Sequence, residues 1–278
     1  MAGTPAPVLV ILLAAQRTGV VNPLAERAGV SHKCLVPICG KPLISHVLDV
    51  LIARPGVDAI RVVLEPDGQA AVAPILNEYR QRGATIDTVD SDTNIVESVI
   101  AATKGEDKPF IITTADNVLL TPEGFEQARE TLLSCDGMIS LTTREAVWSV
   151  HRQGQRGFYE FKDAGYASCN LFGINGQKSL RAAEVFREGG QFMSNKGRMI
   201  RAFGLFNIIL MALKLVTVEQ GMQRLGKRFG LDLKPNIFVN GELAIDVDNA
   251  RTYTIAEWIL GQRLGMAIPK PVIDPASG

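Results

Sequence analysis

The stretch VLVILLAAQRTG, residues 8–19, decides how the rest of the chain is read. Its first eight residues are unbroken apolar, and the run stops at polar residues followed by a glycine. A strand with one face in water alternates apolar and polar residues, whereas a strand covered on both faces is apolar throughout. The run therefore predicts a central strand of a parallel sheet that opens into a loop at its carboxyl end. No basic residue precedes it, it is short for a secretory core, and it passes directly into a loop, so it reads as a strand and not as a leader.

Downstream segments keep the same rhythm. Residues 59–66, 85–91 and 109–116 read as strands, and 41–54, 72–83, 94–105 and 121–134 carry apolar residues at helical spacing. Pro42 suits a first helical turn, an Asp or Asn caps the helix after residue 94, and Gly105 closes it. Strands alternating with helices predict a doubly wound α/β fold with right-handed crossovers. From about residue 137 the rhythm changes. GMISLTTREAVW and GFYEFKDAGYASCNLFGI suggest antiparallel strands or a mixed sheet edge, residues 178–230 read as helical, and ELAIDVDNARTYTIAEWILGQRL closes the chain. The expectation is one domain over 1–278, with a first half to about 135 and an elaborated second half with a helical insert from about 136.

Lys+Arg and Asp+Glu each number 29 in 278 residues, which argues against a general electrostatic grip on nucleic acid. Four cysteines without a CxxC pair make neither a disulfide framework nor a zinc site, and read as small buried residues of a reducing, cytoplasmic compartment. The run AFGLFNIILMALKLVTV (202–218) is at the lower limit for a membrane span and is interrupted by Lys214, so it reads as a buried or amphipathic helix, with peripheral contact to a membrane surface as the alternative.

In open α/β sheets ligands collect at the carboxyl ends of the strands. Three polar groups fall there: the loop AAQRTG with the following SHK (31–33), Asp116 at the end of FIITTAD, and Asp246 and Asp248 in AIDVDNA. Two aspartates at strand ends can share a magnesium ion, and a lysine near a glycine-containing loop can neutralise phosphate charge. Each element alone is equally consistent with a turn, a cap or a solvated charge. Their order and spacing together point to phosphate chemistry. No GxGxxG follows the first strand, which excludes a dinucleotide-binding reading.

LLAAQRTG…SHKCLVPICGKPLISHVL resembles the opening signature of the nucleotidyltransferases related to molybdenum-cofactor guanylyltransferase and the sugar-phosphate nucleotidylyltransferases. TTADNVLLTPE resembles that family's strand-end aspartate motif, AIDVDNART its late acidic motif, and YASCNLFGI the strand carrying an acceptor-contacting Asn. The resemblance runs in the family's order across nearly the whole chain. It implies a three-layer, Rossmann-like (glycosyltransferase-A-like), mostly parallel mixed sheet with helices on both faces. It also implies an enzyme that transfers a nucleoside monophosphate from a triphosphate to a phosphorylated sugar, polyol or inositol, releasing pyrophosphate with Mg²⁺.

On that resemblance Ala14, Ala15, Gln16, Arg17, Thr18 and Gly19 would wrap the triphosphate, with CTP or GTP as the nucleotide. Lys33 would sit on its phosphates, and Asn94 and Ser98 would meet the base or ribose. Asp116 and Asp246 would hold the metal, with Asp248 as the alternative second ligand, and Lys33 and Asp116 would be catalytic. Asn170 would meet the acceptor, and Lys196, in the basic stretch SNKGRMIR, would grip the acceptor's phosphate. One departure stands out: Gln16 occupies the place of the family's glycine, and glycine is what permits close backbone approach to a phosphate. The alternatives are a non-catalytic nucleotide-binding relative, favoured by Gln16, and a nucleotide-sugar-dependent glycosyltransferase. The late DVD and the single aspartate of TADN speak against the latter.

Overall fold

The computed structural model describes residues 6–16, 22–92, 94–180 and 214–273. At its centre lies β1 (Val8–Leu13), paired in parallel with β4 (Val57–Leu64) on one side and β6 (Pro109–Thr114) on the other. β5 (Ile86–Asp90) extends the sheet beyond β4. Beyond β6 come β9 (Gly165–Asn175), β7 (Gly137–Thr143) and β10 (Leu233–Phe238). The order is β10-β7-β9-β6-β1-β4-β5, with the two-residue β8 (Tyr159–Glu160) also on β9. Only β9, and β8 through it, break the parallel pattern: β9 runs antiparallel to both β6 and β7. The expected mixed region is thus inside the sheet, between two parallel groups, and not at its edge.

The alternation of β1 explains its apolar run. Val8, Val10 and Leu12 face one core cluster together with α2 (Leu43–Ile52), α3 (Pro66–Gln81), α5 (Pro122–Leu132) and the C-terminal helix α8 (Ala250–Arg263). Leu9 and Ile11 face the opposite cluster, closed by Val96, Val99 and Ala102 of α4 (Ile95–Thr103). Both faces are dry from Val8 to Leu12, so a polar side chain at any of these five positions would be buried without a partner.

Several boundaries differ from the sequence reading for local reasons. The loop after β1 contains a short helix, α1 (Pro23–Ala28), capped by Asn22 and closed by Gly29 in the left-handed conformation. Lys41 and Pro42 pair with Pro37 and Ile38 as a small hairpin, so α2 begins at Leu43 with Pro42 as its N-cap. α3 begins at Pro66, not 72, because proline fits the first helical turn, where its missing N–H has no partner to lose. The span 214–217 is not helical; Thr217 instead forms a capping box for α7 (Val218–Phe229). The remainder of the apolar run, 202–213, lies outside the described residues. No helix among those described is long and apolar enough to cross a membrane. All four cysteines are free thiols; Cys34, Cys135 and Cys169 are buried as expected, whereas Cys39 is half-buried, and burial pushes Cys34 up to about 12.

Candidate active site

Lys33 is positioned by the apolar run behind it. Cys34, Val36 and Ile38 are all buried in the main core, and the single 3₁₀ turn Lys33–Leu35 lies directly after the extended His32. Anchoring alternate residues this way fixes the backbone at Lys33, and its side chain crosses to two aspartates. Its Nζ bonds Asp116 Oδ2 and lies 3.0 Å from Asp248 Oδ1. Burial alone would lower the pKa of Lys33, but the two carboxylates outweigh it and hold the ammonium above its ordinary value. Lys41, by contrast, is exposed and pairs with Asp49 of α2 at 2.7 Å.

Asp116 reaches this place because the ladder of β6 overruns its neighbour: the Ala115 N–H donates to Leu13 O at 2.9 Å, and the chain then turns. Asn117 is buried and fastens the turn by donating to Thr113 Oγ1 and Cys169 O. The late acidic motif docks on the same turn through Val247 N–H to Asp116 O at 3.2 Å. Asp246 is only 5% exposed and accepts from Asn170 Nδ2 at 2.7 Å, whereas Asp248 is 59% exposed. Asn170 has φ of 45° and lies where β9 loses register against β7. A bulge re-aims a side chain, and asparagine tolerates the left-handed conformation better than other non-glycine residues. That local irregularity is what turns Asn170 onto Asp246.

Three carboxylates thus surround one ammonium. Burial, then Asp116 and Asp248, push the Asp246 carboxyl well above the ordinary carboxylate range, against the smaller pull of Lys33. Asp116 Oδ1 and Asp246 Oδ1 are both buried without a hydrogen-bond partner. Unpaired buried carboxylate oxygens in an acidic cluster suit a hard divalent cation that takes two protein carboxylates and fills its other positions with water or phosphate oxygens. The residues present fit such an ion, which Asp116 and Asp246 could hold.

The loop after β1 shows how the chain accommodates Gln16. Its N–H faces the Glu65 carboxylate at 3.3 and 3.4 Å, and its Nε2 donates to Ser31 O at 3.1 Å. Glu65, the residue after β4, also meets buried His32 Nε2 at 3.1 Å. With Asp67 these groups form the one described set of three ligand-type atoms within 4.8 Å of one another. Ala14 is buried and extends the ladder to Val63 O, while Ala15 is exposed beside it. Glu65 escaped the sequence reading because VVLEP resembles the tail of a strand; the signal was an acidic residue at the carboxyl end of the strand next to β1.

Asn94 and Ser98 are not brought into the lysine–carboxylate cluster. Asn94 Oδ1 caps α4 by accepting from Val96 and Glu97 N–H, and the buried Ser98 hydroxyl accepts from Asp92 N–H while donating to Asn94 O. Both shape the loop at the end of β5. Arg17, Thr18, Gly19 and Lys196 lie outside the described residues.

The model of the MobA-like NTP transferase domain matches residues 11–184, from β1 through β9. The chain belongs to this family. The MobA-like NTP transferases are nucleotidyltransferases, and the mostly parallel mixed sheet is the fold expected of them. No curated protein matches the sequence. Among solved structures, a hypothetical transferase from Thermus thermophilus is similar with a TM-score of 0.71 at 19% identity, covering 89% of this chain and 99% of that one. A 4-diphosphocytidyl-2C-methyl-D-erythritol synthase from Anaerococcus prevotii has a TM-score of 0.59 at 14% identity, covering 92% and 98%. A CMP:2-keto-3-deoxy-manno-octonic acid synthetase complexed with CTP has 0.57 at 12%, covering 93% and 100%. At these identities the likeness is one of fold.

Proposed function

We propose that the chain transfers a nucleoside monophosphate from a nucleoside triphosphate to a phosphate-bearing small molecule, with Mg²⁺ held by Asp116 and Asp246. The observation that carries this reading is the lysine–aspartate cluster at the carboxyl ends of β1 and β6, with two buried carboxylate oxygens lacking partners. In the reaction an acceptor phosphate oxygen attacks the α-phosphorus. The bond from that phosphorus to the bridging oxygen breaks, and pyrophosphate leaves with the electron pair. The bound divalent cation would offset phosphate charge and present the α-phosphate.

Lys33 would supply positive charge on the triphosphate, where its burial makes each charge interaction stronger than in water. Asn170 would hold Asp246 in one orientation and face the acceptor. The acceptor is already anionic, so no general base is needed. The histidines fit that account: His46 Nε2 meets Ile38 O at 2.9 Å, His151 Nε2 meets Pro271 O at 3.1 Å, and His32 is turned to Glu65. CTP is the first nucleotide to test, since the synthetase of similar fold is complexed with CTP.

The test is pyrophosphate release from each of the four ribonucleoside triphosphates with Mg²⁺, across sugar, inositol and glycerol phosphates. Release with a defined pair, lost in both Asp116→Ala and Lys33→Ala, would support the reading. Triphosphate binding without release under any pairing would overturn it in favour of a non-catalytic relative.

A further inference from the structure

Outside the lysine–carboxylate cluster, the carboxyl end of β4 meets the residue before Lys33. Glu65 is the N-cap of α3 and Asp67 lies in its first turn, while His32 is the extended residue before the 3₁₀ turn. His32 is 3% exposed. Its Nε2 lies 3.1 Å from Glu65 Oε1 and 3.9 Å from Asp67 Oδ2. Gly68 permits this approach: a Cβ there would come within 3.1 Å of Nε2 and 3.2 Å of the ring's Cδ2.

The ring nitrogen that faces the carboxylates is unsatisfied. Nδ1 is taken by Ser31 Oγ at 2.8 Å. Nε2 is buried and has no hydrogen-bond partner; Glu65 Oε1 is near it but outside hydrogen-bond geometry. A histidine that donates its proton from Nδ1 presents the lone pair of Nε2, which is how a metal-binding imidazole is oriented. Here that lone pair confronts a carboxylate oxygen, and two acceptors so close repel unless a cation lies between them.

The spacing fits a metal ion. Tetrahedral ligands bound at about 2.1 Å lie about 3.4 Å apart. The two separations from Nε2, 3.1 and 3.9 Å, straddle that value, and all three ligand atoms lie within 4.8 Å of one another. One imidazole with two carboxylates suits a divalent transition ion such as Zn²⁺, whereas Mg²⁺ and Ca²⁺ take oxygen ligands. Two carboxylates also balance a divalent charge and offset the unfavourable positive end of α3. The Asp67 side chain is 80% exposed, so its carboxylate adjusts to the ion without repacking the core.

We propose that His32, Glu65 and Asp67 bind a divalent transition-metal ion, at a site separate from the Mg²⁺ position of the proposed reaction. The ion would tie the end of β4 to the backbone beside Lys33. It would also fix the Glu65 carboxylate that faces the Gln16 N–H at 3.3 and 3.4 Å, and so brace the loop after β1. That bracing role rests on the nucleotidyl-transfer reading; the binding of metal does not.

The chain has three histidines, and the other two face backbone carbonyls. His46 of α2 meets Ile38 O, and His151, the residue after α6 (Arg144–Val150), meets Pro271 O. Imidazole nitrogen NMR of the metal-free protein, titrated with ZnCl₂, therefore identifies the ligand. The expected result is a saturable shift of one imidazole at Nε2, with the Nδ1 proton retained, complete at one Zn²⁺ per chain. Its midpoint should rise at least tenfold in Asp67→Asn and stay in place in Asp116→Asn, and the shift should vanish in His32→Gln. Zn²⁺ should raise the Tm of wild type and not that of Asp67→Asn, with matched melts separating a binding loss from unfolding. No imidazole shift, one with the same midpoint in Asp67→Asn, or one that requires Asp116 overturns the proposal. In turnover with saturating Mg²⁺, one equivalent of Zn²⁺ should lower the triphosphate KM; an unmoved KM overturns the bracing role. Zn²⁺ binding that persists while every triphosphate–acceptor pair is silent would count against the reaction and leave the site standing.

Discussion

Asp246→Asn isolates what the acidic cluster costs the fold. The side chain is 5% exposed, one oxygen is satisfied by Asn170 Nδ2 at 2.7 Å, and the other has no partner. In the variant the amide oxygen keeps the Asn170 contact, and the new NH₂ takes the place of the orphan oxygen, where it can donate toward the Asp116 side of the cluster. A buried acceptor left unsatisfied costs about 1–3 kcal/mol, so the variant should be about 2 kcal/mol more stable than wild type at pH 8 in EDTA, about 4–8 °C in Tm. The pH dependence has a definite sign. Burial and the neighbouring aspartates raise the folded pKa of Asp246, so the folded state holds a proton that the unfolded chain has lost. Wild-type stability from this group therefore falls as pH rises from the ordinary aspartate range through the raised value, and the variant lacks that fall. Denaturant melts in EDTA from pH 5 to pH 8 measure both. A variant less stable than wild type at pH 8, or a gap independent of pH, would refute the reasoning.

Further outcomes follow from single residues. Lys33→Met should lower kcat/KM about 10²–10³-fold, the loss typical of removing one preorganised charge-stabilising donor, measured by pyrophosphate release. Glu65→Ala frees the Gln16 N–H and should raise the triphosphate KM about fivefold, the equivalent of one hydrogen bond of about 1 kcal/mol, with kcat less affected. Ser98→Ala should lower stability by about 1 kcal/mol and leave the triphosphate KM unchanged, because its hydroxyl is used within the loop. Gly241→Ala should be the most damaging small change: its Cβ would come within 2.1 Å of Ala146 O and 2.5 Å of Val147 N. Both are backbone atoms that cannot turn aside, so a loss beyond about 3 kcal/mol is expected in a thermal melt.

The first half of the fold was legible because its central strands β1 and β6 are covered on both faces and its helices have side-chain caps, such as Thr121 before α5 and Asn94 before α4. Asp116 and Asp246 stand out in the sequence because each lies directly after a core-anchored apolar segment, and Lys33 because it directly precedes one. The place of β9 was not legible. GYASCNLFGIN carries mixed polarity, and nothing in it states which two strands it will separate. Glu65 was hidden by a proline that looked like the end of a strand and is the start of α3.

The insertion of β9 between β6 and β7 has a consequence for a chain leaving the ribosome. By residue 143 the parallel group β5-β4-β1-β6 is complete, yet β6 has a bare edge displaying Phe110, Ile111 and Ile112, and β7 has no neighbour on either side. Both wait for residues 165–175, and β7 waits further for 233–238. Late long-range pairing of this kind is slow and leaves sticky edges in the open. Stalled or truncated chains ending between 143 and 165 should therefore associate with each other, whereas chains reaching past 175 have the means to zip their own seam.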